Sequence, residues 1–155
     1  MGIVDQALER LGIVLPPAPR PVAAYVPFVQ SGNLVFVSGQ LPMRDGKLAF
    51  IGKVGEKGML PEEAAQAARQ CAINTIAVLR DACGGNLDRV KRIVRVGVFV
   101  QSADGFTGQS AVANGASELF AALFGDNGKH ARAAVGTNAL PLGAAVEVEL
   151  LAEVA

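Results

Sequence analysis

The chain has no tryptophan, one tyrosine, one histidine and two cysteines among its 155 residues. One histidine and two cysteines are too few for a conventional zinc site, which uses four such ligands. Aromatic side chains on which bases could stack are scarce, and Lys+Arg and Asp+Glu both number 14. Because there is neither a stacking platform nor a basic excess, we expect no nucleic acid and no membrane as a partner.

Charged residues are also sparse, at 18% of the chain, whereas apolar residues make up 51%. No apolar run is long enough to span a bilayer, and the first residues lack the basic and apolar segments of a signal peptide. We therefore expect a cytoplasmic protein whose apolar excess is partly buried between subunits of an oligomer. Cys71 and Cys83 agree with a reducing compartment, because they fall ~18 Å apart on one predicted helix, beyond disulfide reach.

The length of the chain and the lack of an internal linker predict one domain over residues 1–155, and the spacing of apolar residues predicts its elements. A short N-terminal helix and a proline-rich segment form an extension over residues 1–22. Two longer helices are predicted at 61–83 and at 109–124, the second beginning at 109 or 110. Strands are predicted at 33–40, 47–52, 92–101, 131–138 and 144–154.

Turn signals connect the predicted strands in pairs. Asp45-Gly46 is expected to fold strand 47–52 back onto the first strand as a hairpin, and the Leu-Pro-Leu-Gly turn at 140–143 joins the last two strands. Strand pairs that alternate with helices predict an α+β sandwich. In this fold a mixed β-sheet has two helices packed on one face, and the short N-terminal helix is additional.

Arg132 is the residue whose pattern suggests chemistry. It is permanently charged and lies among Ala and Val, where few neighbours could neutralise it. Two partners stay open: Glu147 or Glu149 on an adjacent strand, which the pattern alone favours, or a ligand carboxylate, which matches the guanidinium geometry. Nucleophilic catalysis has poor support, because nothing marks a serine or cysteine as a partner of His130. We expect His130 to be a surface residue at a strand start.

Four segments keep a recognisable order across residues 25–153. They are Gly-Asn-Leu-Val-Phe-Val-Ser-Gly-Gln-Leu-Pro at 32–42, Val-Phe-Val-Gln at 98–101 with Asp104 and Phe106 after it, His-Ala-Arg-Ala-Ala-Val at 130–135, and the Leu-Pro turn and strand at 140–149. Together they resemble the reactive-intermediate deaminase A (RidA, also YjgF) family. The third segment is similar to that family's Pro-Ala-Arg-x-x-Val signature, in a longer and divergent branch.

The resemblance implies a chorismate-mutase-like fold assembled as a homotrimer, with three clefts between neighbouring subunits. It implies hydrolysis of enamine or imine intermediates, such as 2-aminoacrylate, to 2-oxo acids and ammonia, with no metal or organic cofactor. Two alternatives stay open. One is a non-catalytic module that binds a small carboxylate in the same clefts, and the other is endoribonuclease activity, which the neutral charge and the few aromatic residues argue against.

The resemblance also implies roles in catalysis for three residues. Arg132 falls on the arginine that binds the substrate carboxylate, and Glu147 on the glutamate that positions the attacking water. Ala134 stands where the family usually has a cysteine, two residues after the arginine. Alanine keeps the function if position 134 acts through its main-chain carbonyl group, which is the role assumed here; if a thiol matters, the chemistry or its regulation differs. The substrate need not be 2-aminoacrylate.

Three further residues are implied to line the substrate cleft. Tyr25 falls on a tyrosine near the substrate and Ser38 on a serine of the cleft wall. Asn114 falls on an asparagine near the site, provided that a few extra residues are allowed after Phe106. For Ser38 and Asn114 a purely structural role, as a strand-end hydroxyl and a helix-surface amide, stays equally open.

Overall fold

The computed structural model describes residues 1–21 and 23–155, and it combines a mixed sheet with helices packed on one side. The helices are α1 (Ile3–Arg10), α2 (Pro61–Ala82) and α3 (Gln109–Phe124). The strands are β1 (Phe28–Ser31), β2 (Leu34–Gln40), β3 (Met43–Arg44), β4 (Lys47–Leu48), β5 (Val90–Gln101), β6 (Ala131–Thr137) and β7 (Val146–Val154). Five of them form one sheet in the order β1-β2-β7-β5-β6. Only the β5–β6 pair of this sheet is parallel.

The sheet has one face covered by helices and one open face. Along β7, buried residues alternate with partly exposed ones, as expected for a strand with one face in the core. Helix α2 contacts β2 and β7, and α3 contacts β5 and β6. This arrangement confirms the predicted α+β fold with two helices on one face. We call the opposite side, which carries Phe36, Phe99, Glu147 and Leu151, the open face.

Small residues allow the two long helices to approach each other closely. The buried side of α2 is rich in alanine, and Gly115 of α3 lies directly against the Ala65 carbonyl group of α2. A Cβ atom at position 115 would overlap that carbonyl oxygen. The helix pair therefore depends on the missing side chain of Gly115.

The N-terminal helix is fastened to the rest of the chain by Asp88. Its two carboxylate oxygens accept hydrogen bonds from the main-chain N–H groups of Ile3 (2.9 Å) and Val4 (3.0 Å). These groups would otherwise lack partners in the first turn of a helix. Among the described residues, no helix has both the length and the apolar character needed to cross a bilayer.

The predicted hairpin of strand 47–52 with the first strand is wrong. Strand β4 is shorter and pairs with β3 in a separate two-stranded sheet. Both neighbours of β2 in the large sheet are already taken, by β1 and β7, so that β4 has no free edge to join. The turn itself is confirmed, because Asp45 and Gly46 both have positive φ angles, of 53° and 77°.

The pairing of the last two strands also differs from the prediction. Strand β5 lies between β6 and β7, so the turn at 140–143 connects two strands that are not neighbours. Helix α3 provides the crossover that lets β6 run parallel to β5. Strand β1 was not predicted from the sequence. It forms a hairpin with β2 around Gly32, whose φ is 61°.

Candidate functional site

Arg132 lies on the edge strand β6 and points toward helix α3. Its Nη1 atom donates hydrogen bonds to Asn114 Oδ1 at 2.8 Å and to Ser117 Oγ at 3.1 Å. Its Nη2 atom makes a longer contact of 3.5 Å with the main-chain oxygen of Ser110. Asn114 and Ser117 are three residues apart, so they project from the same side of α3. We call Arg132, Asn114 and Ser117 the arginine cluster.

One edge of the Arg132 guanidinium is left for a ligand. The hydrogen bonds described above use both hydrogens of Nη1 and one of Nη2. The Nε–H group donates to no acceptor among the residues that the structure describes, and Nη2 makes only the 3.5 Å contact with Ser110. Side by side, these two donors match the spacing of a carboxylate. The neutral acceptors on α3 therefore hold the side chain in place without neutralising its charge.

An internal ion pair between Arg132 and a glutamate of β7 is not formed in the described part of the chain. Arg132 is in register with Val96 of β5, a residue of the helix-covered face. Glu147 is in register with Phe99 of β5, and Glu149 with Gly97. Because side chains alternate between faces along a strand, both glutamates project from the open face, on the other side of the sheet from Arg132.

The two glutamates of β7 lie over glycines of the neighbouring strands. A Cβ atom on Gly39 would stand 2.5 Å from Glu147 Oε2, and one on Gly97 would stand 2.7 Å from Glu149 Oε1. Both side chains are partly buried. Burial raises the pKa of Glu147, and the negative charge of Glu149 raises it further. Glu147 is thereby a better proton acceptor than an ordinary surface carboxylate.

Ser38 adjoins the part of β2 on which Glu147 rests, and it binds the segment that follows Tyr25. The Ser38 hydroxyl donates a hydrogen bond to the Val26 carbonyl oxygen at 2.6 Å, which fixes the chain just after Tyr25 against β2. Ser38 immediately precedes Gly39, on which the Glu147 carboxylate rests. The Tyr25 side chain is 61% exposed. We call Glu147, Ser38 and Tyr25 the carboxylate cluster.

The arginine and carboxylate clusters are not brought together within one chain. Strand β5 separates β6 from β7, so their axes are about 10 Å apart. Arg132 and Glu147 also lie on opposite faces of the sheet. A cavity of about 870 Å³ does exist between the segment 11–19, α2 and the β3–β4 turn, but none of the residues predicted for the site lines it.

Ala134 lies two residues beyond Arg132 on β6 and packs partly against the core. It is in register with Val98 of β5, and β6 ends the sheet on its other side. An edge strand presents main-chain groups that no neighbouring strand uses. The two thiols of the chain lie elsewhere and are buried and free. Burial raises the pKa of Cys71 well above its ordinary value and also raises that of Cys83, so neither is an activated nucleophile.

His130 is not the surface residue that the sequence led us to expect, and it does have a serine partner. The Nε2 atom lies 2.9 Å from Ser117 Oγ, and Nδ1 lies 2.7 Å from the Gly128 main-chain oxygen. The ring is partly buried and meets Phe120 edge to face at 5.7 Å. Burial lowers the pKa of His130; the Arg132 charge lowers it further, whereas the bond to Gly128 raises it. The helical spacing of Ser110, Asn114 and Ser117 was the sequence signal that could have revealed this partner.

Metal binding finds no support in the described residues, where no group of three or more His, Cys, Asp or Glu side chains is close enough to hold an ion.

The chain matches a family model over residues 5–154, which is nearly its whole length. The model is described as "YjgF/chorismate_mutase-like, putative endoribonuclease". The chain belongs to this family. Membership confirms the family resemblance of the four sequence segments and the chorismate-mutase-like fold.

Several YjgF-like relatives cover almost the same length. "Protein TCP17" of Trypanosoma cruzi is 49% identical over 153 residues, which is 98% of this chain and 94% of that protein. The crystal structure of Atu1372 from Agrobacterium tumefaciens, described as having unknown function, is 43% identical with a TM-score of 0.93 and covers 99% of this chain and 93% of that one. The 2-iminobutanoate/2-iminopropanoate deaminase of Dermatophagoides farinae is 31% identical over 137 residues, 88% of this chain and 91% of that protein.

Proposed function

We propose that the protein is a homotrimeric hydrolase that converts 2-imino acids to 2-oxo acids and ammonia in clefts between its subunits. The observation that carries this proposal is the separation of the two clusters. Arg132 offers a carboxylate-binding edge and Glu147 a proton acceptor, yet they lie apart in one chain. A cleft between the β6 edge of one subunit and the open face of the next supplies both.

The open face supports an assembly of this kind. Val29, Phe36 and Val135 are 55%, 46% and 47% exposed although they lie on a sheet face. The partly exposed side chains of Leu151 on β7 and Phe99 on β5 lie between them and extend the same apolar surface. Covering an apolar sheet face of this extent with another surface removes it from water and stabilises the assembly. A ring of three identical chains covers each such face in the same way.

The proposed reaction assigns distinct tasks to the two clusters. The Nε and Nη2 donors of Arg132 hold the carboxylate of the imino acid. A water molecule adds to the imine carbon as one of its protons passes to Glu147, and Glu147 then gives this proton to the imine nitrogen, which becomes an amine. The tetrahedral adduct expels ammonia as its C=O bond forms and its hydroxyl proton passes, through Glu147, to the leaving nitrogen. One water is consumed and a 2-oxo acid is released. Orientation and charge complementarity account for the rate.

The remaining residues have supporting tasks in this proposal. The main-chain carbonyl of Ala134, on the edge strand, holds the attacking water together with Glu147. The side-chain oxygen of Asn114 accepts a hydrogen bond from Arg132, and its NH₂ group donates to the ligand. Ser38 donates its hydrogen to Val26 and therefore faces the cleft as an acceptor, beside the exposed ring of Tyr25. No metal or organic cofactor takes part in these steps.

The proposal places the enzyme in the cytoplasm and gives it small carboxylates as ligands, without nucleic acid or membrane partners. Two free buried thiols suit a reducing compartment. A net charge of zero offers no attraction to phosphate backbones, which also argues against the endoribonuclease alternative.

A non-catalytic carboxylate-binding module is the second candidate, and one observation favours it. The arginine cluster is complete within a single chain, whereas hydrolysis also needs Glu147 from another subunit. Binding could therefore persist in a protein that has lost turnover. A 2-oxo acid that binds at Arg132 and stabilises the assembly, with no turnover of any imino acid, would establish this function instead.

The deciding experiment is an assay in which an amino-acid oxidase generates 2-iminobutanoate and its disappearance is followed. We expect acceleration by the wild type, and a loss of about a hundredfold or more in Glu147→Gln because the proton acceptor is gone. Arg132→Ala should lose the acceleration through weaker substrate binding. Arg10→Ala, which removes an exposed arginine at the end of α1, is the matched control. Equal rates for wild type and Arg132→Ala would refute the proposal.

A further inference from the structure

The guanidinium of Arg132 begins an unbroken chain of hydrogen bonds that ends at the main chain of Gly128. Arg132 Nη1 donates to Ser117 Oγ at 3.1 Å, Ser117 Oγ lies 2.9 Å from His130 Nε2, and His130 Nδ1 lies 2.7 Å from the Gly128 oxygen. We call Ser117 and His130 the relay. The hydrolysis proposed above does not require it.

The partners fix the direction of each hydrogen bond in the relay. A carbonyl oxygen only accepts, so Nδ1 of His130 carries the hydrogen that is donated to Gly128. In a neutral ring Nε2 then accepts, and the Ser117 hydroxyl donates to it. The lone pairs of Ser117 Oγ are left to accept from Arg132. The histidine thus decides which way the hydroxyl points, and the hydroxyl holds one arm of the guanidinium.

The ring of His130 is itself held in place. It packs edge to face on Phe120, which is completely buried, with the two rings at 85° to each other. Its pKa is lowered, mainly by burial and in part by Arg132, which favours the neutral ring that accepts from Ser117. When the ring is protonated, Nε2 becomes a donor, the hydroxyl must turn, and a second positive charge appears beside the guanidinium.

We propose that the Ser117–His130 relay positions Arg132 for a ligand anion and that binding of a carboxylate there is coupled to protonation of His130. The choice of a carboxylate rests on the proposed function. A bound carboxylate offsets the positive charge of Arg132, which removes one cause that disfavours the imidazolium form. Because coupling between two binding equilibria is reciprocal, protonation of His130 then strengthens carboxylate binding by the same factor.

The other charged groups around His130 do not supply this coupling. On β5, Arg92 donates to the Lys129 main-chain oxygen, and the Lys129 ammonium pairs with Asp126 at 3.2 Å. On α3, Glu118 is exposed. Among these charges, the field of Arg132 is the one that lowers the pKa of His130. A ligand that neutralises Arg132 therefore has a direct effect on the ring.

The relay is tested first without ligand, in a tag-free protein whose one histidine gives a single set of ring resonances. Titration of the His130 Cε1–H signal by NMR measures its pKa. We expect a higher pKa in Arg132→Gln, which removes the positive charge, and a value near the wild type in Arg132→Lys, which keeps it. Ser117→Ala should also raise the pKa, because the neutral ring loses its donor, and Ser117→Thr should restore it. An unchanged pKa in both Arg132→Gln and Ser117→Ala would overturn the relay.

The coupling is tested with 2-oxobutanoate as the probe, by calorimetry and by the same NMR signal. We expect the saturated wild type to show a raised pKa of His130, and binding at least about fivefold tighter below that pKa than above it. Ser117→Ala should weaken binding at neutral pH, whereas Thr107→Ala, which removes an exposed hydroxyl, should not. Binding with no change in the His130 pKa would overturn the coupling.

A third outcome separates this inference from the proposed function. If 2-oxobutanoate does not bind at all, carboxylate recognition by Arg132 fails and the coupling fails with it. The positioning role is then decided by the ligand-free titrations alone, since these need only the hydrogen bonds between Arg132, Ser117 and His130. Turnover of 2-iminobutanoate with an unresponsive histidine would leave the proposed function intact and refute the relay.

Discussion

The carboxylate of Glu147 rests on the backbone of Gly39, at a point where any side chain would collide with it. This close approach gives Gly39 a role in placing the proposed proton acceptor. We expect Gly39→Ala to displace Glu147 and to lower imine hydrolysis about as much as Glu147→Gln does, with carboxylate binding at Arg132 retained. Gly97→Ala, which displaces Glu149 instead, is the matched comparison. Full activity in Gly39→Ala, measured in the coupled oxidase assay, would contradict this role.

The raised pKa of Glu147 predicts the pH dependence of hydrolysis. The ionised form accepts the proton, so activity should fall as the pH drops through the pKa of Glu147, at a higher pH than an ordinary glutamate would show. Burial is the main cause of the shift and Glu149 the second. Glu149→Gln should therefore move the acid limb of the rate profile to lower pH. A limb that does not move would mean that another group controls it.

Asp88 should hold α1 in place in a pH-dependent manner. The main-chain N–H groups of Val4 and Ile3 lower its pKa, because they bind the ionised form. A lowered pKa gives stability that is present above the ordinary value of 3.8 and is lost as the pH falls through the lower value of the folded protein. We expect Asp88→Ala to speed amide hydrogen exchange at residues 3–8 at neutral pH. Asp81→Ala, which removes another exposed carboxylate, should leave that exchange unchanged.

The crossing of α2 and α3 predicts a stability effect at Gly115. An added methyl group overlaps the Ala65 carbonyl oxygen, so the helices must separate. Although alanine favours a helix, we expect Gly115→Ala to lower the free energy of unfolding by about 1–3 kcal/mol, as for other overpacked positions. Urea unfolding followed by circular dichroism measures this change. A stabilised variant would show that the helices can move apart without cost.

The open face should govern assembly. Placing a charge at Phe36, which is 46% exposed, should dissociate the proposed trimer and abolish hydrolysis, because Arg132 and Glu147 would no longer meet. We expect Phe36→Glu to sediment at the monomer mass of 16.0 kDa. Val14→Glu adds the same charge at a residue that is 91% exposed and should leave the assembly intact. A wild-type protein that is monomeric at micromolar concentration would contradict the assembly itself.

Local patterns were sufficient for the helices and most strands, because their periodicity reflects which side faces the core. The helix predicted at 109–124 agrees with α3, and the turn at Asp45-Gly46 was also confirmed. Strand pairing was less predictable, since neighbours in a sheet are chosen by competition among all strands. Strand 47–52 was predicted to pair with β2 because nothing in the sequence indicated that β1 and β7 occupy both edges of β2.

In the candidate site, too, features within one segment were predictable and contacts between segments were not. The family resemblance pointed to Asn114, which does lie 2.8 Å from Arg132. His130 was misjudged because its partners, Ser117 and Gly128, come together only when α3 packs beside the start of β6. The shielding of Glu147 depends on Gly39, which the sequence predicted only as one residue of the strand at 33–40. Apart from the helical spacing of Ser110, Asn114 and Ser117, the contacts between distant segments that set burial and hydrogen bonding left no local signature.

The position of β7 affects how the chain reaches its folded state. This strand follows all the others along the chain, yet it lies at the centre of the sheet between β2 and β5. During synthesis on a ribosome, β2 and β5 therefore have no shared neighbour until residues 146–154 have emerged. The main-chain N–H and C=O groups along the facing edges of both strands stay unpaired during that interval, and such open edges promote aggregation. Folding of the sheet should thus be a late event that coincides with release of the strand carrying Glu147.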